Sequence, residues 1–376
     1  MEEASSLASS LFAVLYPGEA YVESSESSRE RLASRLAQIA ESISPQHSNK
    51  KSRRDVPQTR RGGGRPSEDR GPDFAACPYA YVALRIAYFG WRYYGFARLK
   101  DIEETVEGHF FNALRRGRLI PPEADPLELD YSRCGRTDKG VSASGQVVAL
   151  KLRSVPEGRP PLDYVTIINR NLPEDIRVLG CSPVSESFHA RFDAGGRHYK
   201  YFFVQDGSYD LVAMNRAAAA FVGEHNFKNF CKTDDSVNTY VRRIDRCYIE
   251  PCATTYGAAG DGIGPMCVFN VQGSAFLWHQ VRCMMSVLQS VGKGALPVSS
   301  VEKYLDLDRQ TSRPQYTMAR EEPLLLFRCA FDGNLEPEDF SIAPFARTKV
   351  VAHLTTMARD LRIKHQLVME VLEGIR

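Results

Sequence analysis

Tyr131-Ser132-Arg133-Cys134-Gly135-Arg136-Thr137-Asp138-Lys139-Gly140-Val141-Ser142-Ala143-Ser144-Gly145-Gln146-Val147-Val148-Ala149-Leu150 sets one carboxylate, Asp138, between Arg136 and Lys139. The turn is punctuated by glycine and has strand-like sequence on both sides. Neighbouring positive charge favours the ionised form of a carboxylate, and a turn that feeds straight into a buried strand is a rigid mount. That is how a single catalytic Asp is presented. The commoner use of Arg-x-Asp in a Gly-rich turn is structural, with the Asp bonding its own backbone at the surface. Gly135 and Gly140 also have the spacing of a phosphate loop. Such a loop continues with Lys and Ser/Thr, whereas Val141 and Ser142 stand there.

Outward from this segment the chain reads as short strands alternating with helices. Tyr81–Tyr88 alternates, with Val82, Leu84 and Ile86 on one face, as a half-buried strand does. Further strands are expected over 146–152, 176–181, 198–204, 244–250, 267–273 and 324–331. Val106, Phe110 and Leu114 mark an amphipathic helix, and others are expected over 211–222 and 276–291. In the latter, Leu277, Val281, Met284, Leu288 and Val291 form the core stripe. Hairpin-like connections among these elements indicate an α+β body.

The flanks differ from this body. Residues 1–45 are rich in Ser, Ala and Glu, with one helix expected from Ser28 to Ile43. Residues 46–76 form a basic linker rich in Gly and Pro that is expected to be disordered. Between Lys50 and Arg70 it has eight basic residues against three acidic ones. Such a run is a solvated linker first, and a nuclear-import or RNA-contacting arm second. The catalytic body is expected over 77–332. A helical extension over 333–376 carries Leu354, Met357, Leu361 and Val368, whose expected role is to cover a sheet edge or a partner subunit.

The whole chain has 376 residues, 43% hydrophobic and 25% charged, ample for one large or two small cores. Its net charge of +2 announces no nucleic-acid partner by itself. Nine scattered cysteines without a C-x-x-C suit neither a disulfide framework nor a zinc site. No apolar run approaches the ~20 residues of a membrane span. A soluble intracellular protein without metal is the expectation.

The segment Arg133-Cys134-Gly135-Arg136-Thr137-Asp138-Lys139-Gly140-Val141-Ser142-Ala143 resembles the catalytic loop of TruA-type tRNA pseudouridine synthases, Gly-Arg-Thr-Asp-x-Gly-Val. Other blocks follow in the family's order. They are Tyr88-Phe89-Gly90-Trp91 with Tyr94-Gly95-Phe96, and Asn169-Arg170-Asn171-Leu172-Pro173-Glu174-Asp175-Ile176. Phe188-His189-Ala190-Arg191-Phe192 then leads into Arg197-His198-Tyr199-Lys200-Tyr201. Gly273-Ser274-Ala275-Phe276-Leu277-Trp278-His279-Gln280-Val281-Arg282 and Arg313-Pro314-x-Tyr316-x-Met318-Ala319 complete the set. The resemblance spans about residues 80 to 332. It implies two ferredoxin-like halves sharing one long, mainly antiparallel sheet, with helices packed on it and a catalytic cleft between the halves.

Pseudouridine formation breaks the C1′–N1 bond of a uridine, turns the base and rejoins it through C5. The base must first leave the stack, at a cost of a few kcal/mol. The resemblance makes Asp138 the catalytic residue, either attacking C1′, as carboxylates do in glycosidic cleavage, or abstracting a sugar proton. It gives Arg136 the task of replacing the flipped base, which suits a planar cation. It makes Tyr199 the active-site tyrosine, stacking on uracil and accepting or relaying the C5 proton. Strand alternation puts Tyr199 and Tyr201 on one face. Arg282 matches the family arginine that pairs with the catalytic Asp, and a cation in the apolar stretch from Phe276 to Leu288 needs such a partner. His279 reads as a scaffold or phosphate contact. Arg133, Lys139, Arg191 and Lys200 are RNA-binding candidates by proximity in sequence. No cofactor is implied.

Phe89-Gly90, Lys139-Gly140-Val141-Ser142 and His225-Asn226-Phe227-Lys228-Asn229-Phe230-Cys231-Lys232 resemble the eukaryotic branch that modifies positions 38 and 39 of the tRNA anticodon stem-loop. The alternatives are the sister eukaryotic branch, which acts on other uridines, and a catalytically weak tRNA-binding protein. An intact Asp138, Tyr199 and Arg282 set speaks against the latter, because a pure binder needs no carboxylate facing an anionic ligand. Nucleus and cytoplasm are the expected compartments, and the family includes homodimers.

Overall fold

The computed structural model describes residues 72–375, apart from 235–236, 253–262, 332 and 334. All described residues belong to one compact unit, Glu68–Arg376, so the helix expected over Ser28–Ile43 and most of the basic linker expected over 46–76 lie outside them.

The body is a mixed α/β structure with one nine-stranded sheet. The strands are β1 (Tyr79–Tyr88), β2 (Ser132–Arg133), β3 (Ser142–Arg153), β4 (Ile176–Pro183), β5 (Gly196–Val204), β6 (Gly223–Asn226), β7 (Val241–Pro251), β8 (Met266–Gly273) and β9 (Leu324–Ala330). The helices among the described residues are α1 (Val106–Arg116), α2 (Tyr164–Asn169), α3 (Leu211–Ala219), α4 (Gln280–Gly292), α5 (Ser300–Leu305) and α6 (Pro344–Glu373). Strand order is β4-β1-β3-β9-β5-β8-β7-β6, with β2 also on β3. The pairs are antiparallel except at the seam, where Ser142 and Ala143 of β3 meet Leu325 and Leu326 of β9 in parallel.

Alternation explains the cores. Leu84, Ile86 and Tyr88 of β1 face Phe110, Phe111 and Leu114 of α1 and Val148 and Leu150 of β3 in one cluster. Met214 and Ala217 of α3 and Met284 and Leu288 of α4 pack on Phe269 and Val271 of β8 in the other. Each such side chain contributes roughly 1.5–3 kcal/mol on burial. Tyr199 packs against both clusters. The helices are capped where the sequence supplies acceptors. Thr105 accepts from Gly108 N–H ahead of α1, and Asp210 accepts from the Val212 and Ala213 N–H groups ahead of α3.

The helix expected from Phe276 begins four residues later, at Gln280, because His279 is left-handed, at φ 62°. A non-Gly residue there interrupts the helical run, and the Gln280 side chain accepts from the Leu277 N–H at 2.8 Å in its place. Similarly, α3 stops at Ala219 rather than continuing to Val222. The final helix starts earlier than its apolar spacing suggested, at Pro344. Its first turns bury Ala346 and Val350, and His353 reaches the Glu174 carbonyl at 2.7 Å, beside the β4 edge.

Candidate active site

The Asp138 turn is held from three sides. Tyr88 at the end of β1 shares a 2.7 Å hydrogen bond with the Thr137 hydroxyl. Phe96 N–H donates to the Thr137 carbonyl at 3.1 Å, and Gly140 N–H donates to the Tyr93 carbonyl at 3.1 Å. From the fifth residue of β3, the Gln146 side-chain N–H donates to the Gly135 carbonyl at 2.9 Å. The turn itself closes with Val141 N–H donating to the Asp138 carbonyl at 3.1 Å. Two glycines allow this approach. A Cβ on Gly90 would meet the Val141 carbonyl oxygen at 2.0 Å, and Gly140 sits at φ +79°. Asp175 braces the 89–96 loop in turn, accepting from Tyr93 and pairing with Arg92 at 2.9 Å.

Asp138 is about one-third exposed, its side chain at 30%. Burial raises its pKa to about 6, with Glu321 adding to the rise while Arg282, the Trp278 indole and Lys232 oppose it. Arg282, on the first turn of α4, is 8% exposed. Its Nε donates to the Ala319 carbonyl at 2.8 Å and its Nη2 to Glu321 Oε2 at 2.7 Å. The ion pair expected with Asp138 is therefore made with Glu321, which enters β9 beside Gly140. Arg282 acts on Asp138 through its field. His279 Nε2 lies 3.6 Å from Asp138 Oδ2, longer than a hydrogen bond. Burial, followed by Arg282, Lys232 and Arg313, lowers its pKa to about 4, so the imidazole is neutral and offers no cation to a phosphate.

Tyr199 on β5 packs edge-on against Phe276, with ring centroids 5.0 Å apart. Burial pushes its phenol far above 10, with smaller contributions from Cys329, Cys134, Tyr88 and Asp138. A phenol held neutral this firmly offers a stacking surface and a hydroxyl that donates. Arg136 is exposed and makes no hydrogen bond or ion pair with a described residue.

The remaining candidates scatter. Lys139 is exposed, its ammonium 4.5 Å from the centroid of the Tyr94 ring. Arg133 pairs with buried Glu107 at 2.6 Å, which consumes its charge. Arg191 is exposed beside Phe192. Lys200 alternates away from Tyr199 along β5 and stacks on Phe327 at 4.1 Å. That opposite face carries His198, Gln272, Phe327 and Arg328 around a cavity of about 470 Å³. Sequence reasoning passed over three groups: Glu321, Lys232 and Trp278. Lys232 sits 4.1 Å over the half-exposed Trp278 ring. Trp278 and Lys232 lie inside blocks given in the sequence analysis, which was the signal available for them, whereas Glu321 lies in none. Among the described residues no cluster of His, Cys, Asp and Glu is placed to hold a metal ion, and no helix is long and apolar enough to cross a membrane.

A half-buried carboxylate with an arginine, a tyrosine and exposed aromatic–lysine pairs around it is the arrangement the TruA resemblance calls for, and the comparisons with known proteins settle the class. Residues 217–332 match the family model described as tRNA pseudouridine synthase. The chain is 39% identical over 332 residues to the tRNA pseudouridine(38/39) synthase of Bos taurus, covering 83% of this chain and 67% of that protein. It is 35% identical over 384 residues to the Homo sapiens protein of the same name, covering 95% and 76%. It is 32% identical to the tRNA pseudouridine synthase A of Thermococcus sibiricus, covering 71% and 91%. Among solved structures, the archaeal box H/ACA sRNP Nop10-Cbf5 complex is 12% identical, at a TM-score of 0.25 over 55% of this chain and 44% of that one. The chain belongs to the tRNA pseudouridine synthase family. It is an enzyme that isomerises uridine in tRNA to pseudouridine.

Proposed function

We propose that the enzyme acts on positions 38 and 39 of the tRNA anticodon stem-loop, with Asp138 as the residue that works on the ribose. The observation that carries the role of Asp138 is its placement: a carboxylate at about pKa 6 in a braced turn, within the field of a buried arginine. The choice of positions is supported by the names of the bovine and human relatives. The target base leaves the stack, and Arg136, exposed and unengaged, fills its place. Asp138, ionised, acts on C1′ as nucleophile or on the adjacent sugar proton as base, and the C1′–N1 bond breaks. The base turns against Tyr199. C5 bonds to C1′ as the Asp138–C1′ ester breaks or, in the base route, as the sugar proton returns from Asp138. The C5 proton is relayed away through the Tyr199 hydroxyl or water while N1 gains one.

We likewise propose that the body consists of two ferredoxin-like halves. β1-α1-β2-β3-α2-β4 has spatial order β4-β1-β3-β2, and β5-α3-β7-β8-α4-β9 has order β9-β5-β8-β7. Each is the 4-1-3-2 arrangement of a ferredoxin-like unit, which supports two such halves meeting at the β3–β9 seam. The cleft between them would then take Asp138 from the first half and Tyr199 and Arg282 from the second. A homodimer in nucleus and cytoplasm is part of the proposal, supported for the dimer by exposed Leu361, Leu367, Val368 and Val371 on α6.

Mapping pseudouridine across an unmodified tRNA after incubation with the protein tests the positions. Product at 38 and 39 is expected. Product confined to other uridines would move the enzyme to the sister branch.

A further inference from the structure

We propose that Trp278 is the surface on which the loop-side neighbour of the target uridine stacks, with Lys232 beside it on the phosphate backbone. The role is one of binding and orientation, and it rests on the reading of Asp138 as the carboxylate that works on the ribose.

One backbone conformation decides where Trp278 points. Leu277 before it and Val281 after it are buried in the core cluster under α4. A helix running on from Phe276 would carry residue 278 round with them. His279 takes the left-handed conformation instead, at φ 62°, and breaks that run. Trp278 is left 42% exposed, and forgoes the stabilisation that burying an indole would give.

Its neighbours hold it there, beside the carboxylate. Lys232 N–H donates to the Trp278 carbonyl at 2.9 Å, and the Lys232 ammonium lies 4.1 Å from the indole centroid. The His279 ring is 5.0 Å from the indole, and its Nε2 is 3.6 Å from Asp138 Oδ2. The indole N–H donates toward the Asp138 carboxylate and favours its ionised form. An open aromatic ring with a cation at its side takes a base together with its phosphate, whatever the base. A base stacked on Trp278 is thereby kept next to the ribose that Asp138 works on.

The occupant follows from what the site already assigns. Tyr199 lies deeper than Trp278, packed against both core clusters, and is the surface for the flipped uracil. Trp278, more open, is left for the nucleotide next in the strand. On the stem side that nucleotide is base-paired and stays in the helix. On the loop side it is unpaired and free to splay onto an aromatic side chain.

The test is equilibrium binding of an unmodified tRNA, ligated from synthetic halves so that the loop-side neighbour is either intact or abasic. Asp138→Asn protein is used, so that the uridine stays unconverted, alone and combined with Trp278→Leu or Trp278→Phe. On intact tRNA, Trp278→Leu is expected to weaken binding about tenfold and Trp278→Phe, which keeps a ring, about threefold. On abasic tRNA both losses are expected to shrink to about twofold or less, because the stacking partner is already gone. The Phe variant decides the matter alone should the Leu variant not fold. The slope of log affinity against log salt is expected to stay unchanged, since stacking releases no counterions. Losses of the same size on intact and abasic tRNA, or no loss on either, would overturn the stacking role. A slope lowered by about one would overturn it too, leaving Trp278 as no more than a seat for Lys232. Pseudouridine formation by Asp138→Asn would overturn the reading of Asp138, and the placement of Trp278 with it.

Discussion

Burial lifts the Asp138 carboxyl from 3.8 to about 6, Glu321 adding to the rise and Arg282, the Trp278 indole and Lys232 opposing it. A carboxyl whose folded pKa exceeds its unfolded one contributes stability below the unfolded value and loses it as pH rises through the folded value. At pH 7 the ionised Asp138 therefore costs the fold. Two pKa units correspond to about 3 kcal/mol, which partial exposure reduces to about 1–2 kcal/mol. Denaturant titration should find Asp138→Asn more stable than wild type by that amount at pH 7, and equal to it near pH 4. The same ionisation governs rate. Conversion should rise with one-proton slope through about pH 6 and then level, since the neighbouring His279 is already neutral above about pH 4. An acid limb centred near 4 would instead indicate an unperturbed carboxylate.

The Asp138 turn depends on the 89–96 loop, and the loop on Asp175. Gly90→Ala drives a methyl onto the Val141 carbonyl, which is backbone and cannot move aside. A loss of about 2–4 kcal/mol is expected in thermal or chemical denaturation, with conversion falling further than stability because the turn shifts as a unit. Gly90 and Asp175 were both legible as family blocks, and the geometry supplies their reason. Long elements were legible too: β1, β3, β5 and β8 are long enough for alternation to show. β2 and β6, of two and four residues, are too short to carry a period. The start of α4 was misread because Leu277 shares the spacing of Val281 and Met284, and periodicity is blind to one left-handed residue at 279. Arg282 was legible as a buried cation needing a carboxylate. Its actual partner, 39 residues further on, lay outside every motif and was fixed only by the meeting of β9 with the Asp138 turn.

At the scale of the molecule, a net charge of +2 says little about RNA. The local arrangement says more. Lys139 over Tyr94 and Lys232 over Trp278 pair an ammonium with a half-exposed aromatic ring. Such a pair offers a phosphate contact beside a stacking surface. Lys232→Ala should weaken tRNA binding at low salt and reduce the slope of log affinity against log salt by about one. An unchanged slope would place Lys232 outside the RNA path. Charge and catalysis separate in the most direct test of the account: single-turnover conversion and binding of one unmodified tRNA by wild type and Asp138→Ala. Asp138→Ala should bind within about threefold of wild type and form no pseudouridine, a rate loss of about 10³-fold or more. Equal modification by the two proteins would contradict the account.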